Sequence, residues 1–392
     1  MKKIIYLFVF CAVVFMTSGG SAPQSDRKLA MYGVAFYNLE NLFDTIHAPG
    51  KNDFEYLPDG ANKWNSLKYH SKLSNLSIVL SELCTDKVKA GAALIGISEI
   101  ENRTVVEDLL KQPALKDRGF KILHFESPDR RGVDCGLLYN PRFFTLEDSL
   151  YVPYIYLTKE NPDENLMGFT YDDKSREINV LPLYGDTTHI TRGFMVGIGK
   201  LAGERLAVIV NHWPSRFAAS PARERAARQV KKLCDTLMKK YDNDLKIIVM
   251  GDLNDDPDDP SLSKGMQCKY EAGDLKNAGD FFNPWKYMLR TKGRGTLMYD
   301  GKWNLFDQII FTGNCVNKDC DLRHAPKVAE MDLSKGLTFY QNVIFVRDYL
   351  FNQEGRDKGA PKRTHSRGVW LNGYSDHLPT QVYFVKEITN NK

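Results

Sequence analysis

Beyond residue 22 this 392-residue chain contains no run of about 20 apolar residues, the length that a membrane-spanning helix requires. It predicts no stable membrane insertion. A strong charge of either sign is also lacking. The formal net charge of +4 is too small to argue for a polyanionic partner, so attraction to phosphate must come from local clusters. Cysteine and histidine are few, at 7 and 8, and no Cys/His spacing matches a zinc site. There is no internal repeat, no oligomerisation signal and no second apolar segment. What remains is an ordinary globular composition, long enough for one large domain or two smaller ones.

The N-terminus is the exception. Lys2 and Lys3 precede an apolar stretch from Ile4 to Met16, followed by Ser18-Gly19-Gly20-Ser21-Ala22. A basic start, a short apolar middle and a small-residue exit predict a signal peptide over residues 1–22. The expected location is therefore exported, either periplasmic or extracellular. Cys11 lies inside that stretch, but bulky Phe10 before it argues against a lipid anchor. Outside the leader are Cys84, Cys135, Cys234, Cys268, Cys315 and Cys320. In an oxidising compartment Cys315 and Cys320, which flank a short polar loop, are the pair that could bridge. The alternative is that all six are small buried hydrophobes.

Short β-rich runs alternate with turns. Strands are expected at 33–38, 92–98, 120–125, 133–139, 178–184, 195–201, 206–211, 245–250, 305–311 and 380–385. Helices are expected at 68–84, 105–111 and 222–240, the last with Val230, Leu233, Leu237 and Met238 near helical spacing. The mixture implies packed sheets with helices outside, in one domain over residues 30–388. The segment 313–373 is irregular and basic and reads as an insertion over one face.

Polar tips recur where apolar runs end. Leu245–Met250 leads into Gly251-Asp252-Leu253-Asn254, and side-chain alternation can aim Asp252 and Asn254 into one pocket. The other tips are Asn38/Glu40, Glu99, His212, Asp307 and Asp376-His377. Asp252–Pro257 superficially resembles a calcium loop, but Pro257 and Ser263 stand where that loop needs Gly and Glu.

The ordered set, with GDxN at 251–254 and SDH at 375–377, resembles the endonuclease/exonuclease/phosphatase superfamily, the deoxyribonuclease-I-like fold. The resemblance runs from Phe36 to Pro379. It implies a four-layer α/β sandwich of two packed, mostly antiparallel sheets flanked by helices. It also implies hydrolysis of a phosphoester with Mg²⁺ or Mn²⁺. By the same resemblance Glu99 is the metal-ligand glutamate, with Glu40 and Asp376 as further candidate ligands. Asn38, His212, Asp252, Asn254, Asp307 and His377 are the candidate catalytic residues. A substrate-contacting residue of the family has Tyr184, His189 and Arg192 as candidates here.

These residue types suit the chemistry. A divalent cation neutralises an anionic phosphoryl group, and Mg²⁺ needs only one or two carboxylates. Asp252 can orient or deprotonate water, and Asp307 can fix the tautomer of His377 and stabilise its charged form. Asparagine adds donors without adding negative charge. Arg192, Arg216 and Arg363 are expected at the substrate, Arg363 from a basic loop over 356–367 that could arch over the site. Trp370 and Tyr374 are candidates either to stack on a base or to pack. Arg223, Arg225 and Arg228 read instead as the solvated face of a helix. The expected partner is nucleic acid or another phosphate-ester substrate. A nuclease is the first expectation, a phosphatase or phosphodiesterase on a small or lipid ester the alternative, and a catalytically silent binding protein the third reading. A wide groove lined by Arg and Lys would favour nucleic acid; a closed, deep pocket would favour a small ester.

Overall fold

The computed structural model describes residues 27–157, 159, 162–182, 192–366 and 368–388. The leader, Tyr184 and His189 lie outside the described residues. Two six-stranded sheets form the body. The first runs in the order Thr338–Ile344, Thr380–Glu387, Leu29–Leu42, Ala92–Ile100, Asp134–Tyr139 and Lys121–His124. The second runs Phe281–Phe282, Asp307–Thr312, Lys246–Asp252, Glu204–His212, Gly193–Leu201 and Phe144–Pro153.

Each sheet has one parallel pair near its centre, 29–42 with 92–100 and 204–212 with 246–252; the other neighbours are antiparallel. Parallel neighbours need a crossover, and helices Ser66–Glu82 and Ser220–Lys240 lie in those two connections. Both members of a parallel pair finish at the same edge. Asn38 and Glu99 therefore leave the first sheet together, as His212 and Asp252 leave the second.

The sheets bury a shared core that includes Phe36, Ile95, Val208 and Ile248. Their approach is close at Gly96, where a Cβ would lie 2.4 Å from the Met250 sulfur. Helix 66–82 starts where Asn65 accepts the Lys68 N–H, and it buries Tyr69, Leu73, Leu76 and Leu80 along one stripe. Helix 220–240 has proline in its first turn and Lys239 and Lys240 in its last, a polarity that suits the helix dipole.

Several expectations need correction. Arg223 and Arg225 are buried rather than solvated. Arg223 pairs with Asp255 at 2.8 Å, and Arg225 donates to the Ile155, Glu164 and Leu166 carbonyls. Arg228 is exposed. Part of the supposed insertion, 338–344, is an edge strand of the first sheet. A register shift between Phe339 and Gln341 breaks its alternation and hid it. Strand 144–153 was hidden the same way, by a shift between Leu146 and Asp148. Cys315 and Cys320 form no disulfide. Cys315 turns into the core, at 1% exposure, while Cys320 stays half-buried. Among the described residues no helix is long and apolar enough to cross a membrane.

Candidate active site

Strand register assembles the site before any side-chain contact is made. Asp252 lies opposite Asp307 on one neighbour and His212 on the other, so the three carry their side chains on one face. Gly251 is required just before it, because a Cβ there would lie 2.2 Å from the Asn211 carbonyl oxygen. From the facing sheet Asn38 donates its Nδ2 to Asp252 Oδ2 at 3.0 Å. Asp252 Oδ1 accepts the Asn254 N–H at 3.0 Å. Asn254 spends its own amide on the Trp213 carbonyl at 3.0 Å, so it fixes the loop that carries Asp252.

Glu99 reaches the same space through a bulge. Register shifts on both sides of its strand, and its φ of 60°, turn the side chain out of the pleat. Glu40, Asn41 and Asn254 also have positive φ, at 48°, 52° and 51°. Four such residues at strand ends around one cleft are backbone strain of the kind that collects at functional sites. Glu99 accepts the Asn41 N–H at 3.0 Å.

His377 follows from the SDH motif. Ser375 Oγ donates to the Asn38 carbonyl at 2.7 Å and accepts the His377 N–H at 3.1 Å. His377 Nδ1 then meets Asp307 Oδ2 at 2.7 Å, and its Nε2 lies 3.8 Å from Asp252 Oδ2. Burial alone would lower its pKa, but the Asp307 and Asp252 carboxylates outweigh that and hold it well above the ordinary value. His212 goes the opposite way. Burial, then the Arg192 and Arg131 charges, push its pKa well below the ordinary value. Its Nε2 contacts to Glu99 and Asp252, at 3.6 and 3.7 Å, are too long to hold the proton. Asp252 itself is raised to about 7, mainly by burial, with Asp307 and Glu99 adding to it against His377.

A divalent cation fits one group here. Ligand atoms of Glu99, His212 and Asp252 lie within 4.8 Å of one another. Glu40 and Asp376, expected as ligands, lie outside that group. Glu40 accepts Arg363 Nε at 2.9 Å and the Thr364 N–H at 2.6 Å, and Asp376 pairs with Arg363 Nη2 at 3.0 Å. The physical reason is charge balance, since the Arg363 guanidinium bridges two carboxylates that would otherwise repel. The carboxyl of Glu40 is pushed up to about 7, chiefly by burial and then by Asp376, against Lys72 and Arg363. A second cluster, His124, Glu126 and Asp134, is tied up locally: His124 Nε2 meets Asp134 at 2.8 Å, and the other Asp134 oxygen accepts the Ser127 N–H.

The expected substrate arginines behave differently from one another. Arg363 is in the cleft. Arg192 is a strut, donating to the His212 and Trp213 carbonyls and pairing with Asp129 at 3.1 Å. Arg216 ties the Asn254 carbonyl to Asn304 and Asp259. Trp370 lies under Lys68, and Tyr374 rests on Tyr349 with ring centroids 5.0 Å apart, so both are packing residues.

Three groups had no role assigned to them from the sequence. Asp129 holds Arg131 Nη2 at 3.1 Å on the same oxygen that binds Arg192, which leaves Arg131 half-exposed and near enough to Glu99 to feel its charge. Lys72, fully buried, donates to the Glu40 carbonyl at 2.6 Å. Its position on the apolar stripe, four residues before Leu76, was the available signal. Asn211 accepts from Tyr154 Oη at 2.7 Å and Trp213 Nε1 at 3.2 Å, which locks the strand end that presents His212.

The model of the endonuclease/exonuclease/phosphatase family matches residues 33–167 and 169–386. No match was found among curated proteins. Among solved structures, ANGEL2, a 2′,3′-cyclic phosphatase in complex with adenosine-2′,3′-vanadate, superposes with a TM-score of 0.54 at 11% identity, covering 93% of this chain and 99% of that one. An endonuclease/exonuclease/phosphatase family protein from Bacteroides thetaiotaomicron gives 0.50 at 14% identity, covering 93% and 98%. At such identities these likenesses establish the shared fold, the deoxyribonuclease-I-like sandwich.

Proposed function

The chain belongs to the endonuclease/exonuclease/phosphatase family, hydrolases that act on phosphate esters, and from that premise we propose a divalent-metal-dependent phosphoesterase, with Mg²⁺ or Mn²⁺ as the cation, that cleaves its substrate by attack of water. The observation that carries this reading is the convergence of Glu99, Asp252 and His377, from both sheets, on one cleft. Glu99 would be the principal ligand, and His212 and Asp252 lie close enough to share the same ion. The bound cation would neutralise a phosphoryl oxygen and ease departure of the leaving oxygen.

The protein supplies the rest. Asp252, oriented by the Asn38 amide, is placed to accept the proton of an attacking water. Charged His377, held by Asp307, donates Nε2–H to a phosphoryl oxygen. Arg131, bracketed by Asp129, offers a second cationic contact to the phosphate.

Charge in the adjoining cleft supports a small phosphate ester over the nucleic acid first expected. Glu40, Glu55, Asp357 and Asp376 line it, and Arg363 is its one arginine or lysine among the described residues. A polyanionic strand would meet carboxylates there instead of the basic track it needs. Export belongs to the proposal on the strength of the leader alone. The test is a screen of purified protein, with Mg²⁺, Mn²⁺ or chelator, against small phosphate esters, DNA and RNA. Chelator-sensitive hydrolysis of the small esters supports the reading. Metal-independent activity, or activity on nucleic acid alone, refutes it.

A further inference from the structure

The cleft beside Glu40 and Asp376 has a volume of about 590 Å³. That falls in the small-molecule range of ~300–1,000 Å³. Its walls come from residues in the segments 55–64, 352–366 and 368–371 and from the short strand Leu297–Tyr299. The edge meets the reaction centre, because Asn41, whose N–H holds Glu99, and Asp376, 4.0 Å from His377, both line it.

The state of its polar groups is informative. Arg363 is already held between Glu40 and Asp376, at 2.9 and 3.0 Å. By contrast the side chains of Asn41, Asn62, Ser366 and Glu55 have no hydrogen-bond partner among the described residues. Asn352 gives its Nδ2 to the Ala360 and Pro361 carbonyls, which leaves its Oδ1 as an acceptor. Tyr299 stands at the rim with 75% of its surface exposed. Unspent amides, a hydroxyl and a carboxylate match a ligand rich in hydroxyl groups, each of which donates and accepts. An exposed aromatic ring suits the apolar C–H face of a sugar ring. A second phosphate on the ligand would face Glu55 and the Glu40–Asp376 pair, and among the described residues no free cation lines the cleft to receive it.

We infer that this cleft holds the uncharged, polyhydroxylated half of a phosphate ester, a sugar bearing a single phosphate, with the phosphoryl group at the Glu99–Asp252–His377 centre. The inference rests on the hydrolase reading above and names its substrate class. In the reaction the oxygen of water bonds to phosphorus and the P–O bond to the sugar breaks. One proton of the water ends on the sugar oxygen, so the products are the free sugar and inorganic phosphate.

The test uses the purified chain with Mn²⁺ and four probes: a hexose 6-phosphate, a hexose 1,6-bisphosphate, a single-stranded oligonucleotide and p-nitrophenyl phosphate. The hexose monophosphate is expected to exceed the bisphosphate and the oligonucleotide in kcat/KM by about tenfold or more, the worth of one ordinary hydrogen bond or charge contact. In Asn62→Ala and Glu55→Ala, the ratio of kcat/KM for hexose monophosphate to that for p-nitrophenyl phosphate should fall about tenfold. Preference for the bisphosphate or the oligonucleotide overturns the inference, as does an unchanged ratio in both variants. Turnover of p-nitrophenyl phosphate without turnover of the hexose ester defeats the sugar assignment and leaves the hydrolase standing. No hydrolysis of any probe defeats both.

Discussion

His212 and His377 approach the same oxygen, Oδ2 of Asp252, at 3.7 and 3.8 Å, yet their surroundings drive their pKa values in opposite directions. His377 has an anionic partner in Asp307 at 2.7 Å. Among the described residues His212 has no carboxylate as close, and it feels the charges of Arg192 and Arg131. A carboxylate next to one neutral and one charged imidazole can take a proton while a donor stays ready beside it.

Asp252→Asn removes the proton acceptor while keeping the shape of the side chain. Turnover should fall by ~10²–10⁴, the usual worth of a general base, with KM changed far less. Steady-state kinetics on a small phosphate ester measures both. A change confined to KM would take Asp252 out of the proton transfer.

Asp307→Asn removes the charge that keeps His377 protonated. In the wild type the charged form persists to a pH well above the ordinary histidine value, and activity that needs it is lost as pH rises through that raised pKa. Without Asp307 the pKa falls, so the alkaline limb of the kcat profile should move to lower pH by about one unit or more. A limb that stays in place would show that His377 does not titrate in the cycle.

Arg131→Ala should lower kcat/KM by ~10–100-fold, as expected for loss of a charged hydrogen bond of ~1.5–3 kcal/mol, and Arg131→Lys should restore part of it. Unchanged kinetics in both variants would reduce Arg131 to a partner of Asp129 alone.

Stability should carry its own pH signature at Glu101. Burial raises this carboxyl from 4.5 to about 8, against the Asp44 N–H that it accepts. The folded state therefore binds more protons than the unfolded state between those values, and stability falls as pH rises across that window. Glu101→Gln has nothing to titrate, so its drop in Tm between pH 5 and pH 9 should be smaller than the wild type's by about 2 °C or more. Equal drops would contradict the assignment.

Much of this was legible in the sequence because the two signals involved are local. Apolar runs such as 245–250 mark central strands, and a polar residue just beyond marks a tip. That placed Asn38, Glu99, His212, Asp252, Asp307 and His377 at strand ends. What failed depended on long-range partners. Arg363 resembled a free phosphate ligand because nothing local reveals that Glu40, more than 300 positions earlier, would claim it. Arg223 and Arg225 had the spacing of a solvated face, but carbonyls at 155, 164 and 166 and the acid Asp255 draw them inside. Edge strands 144–153 and 338–344 were masked by bulges, which break the alternation that identifies a strand.

In the proposed function Glu99 anchors one divalent cation at the junction of the two sheets. Calorimetric titration of the purified protein with Mn²⁺, beside Glu99→Gln of matching Tm, tests it most directly. Saturable binding is expected for the wild type, weakened at least about tenfold in the variant as one charged ligand is lost. Equal affinity in the two proteins, or no binding by the wild type, would contradict it.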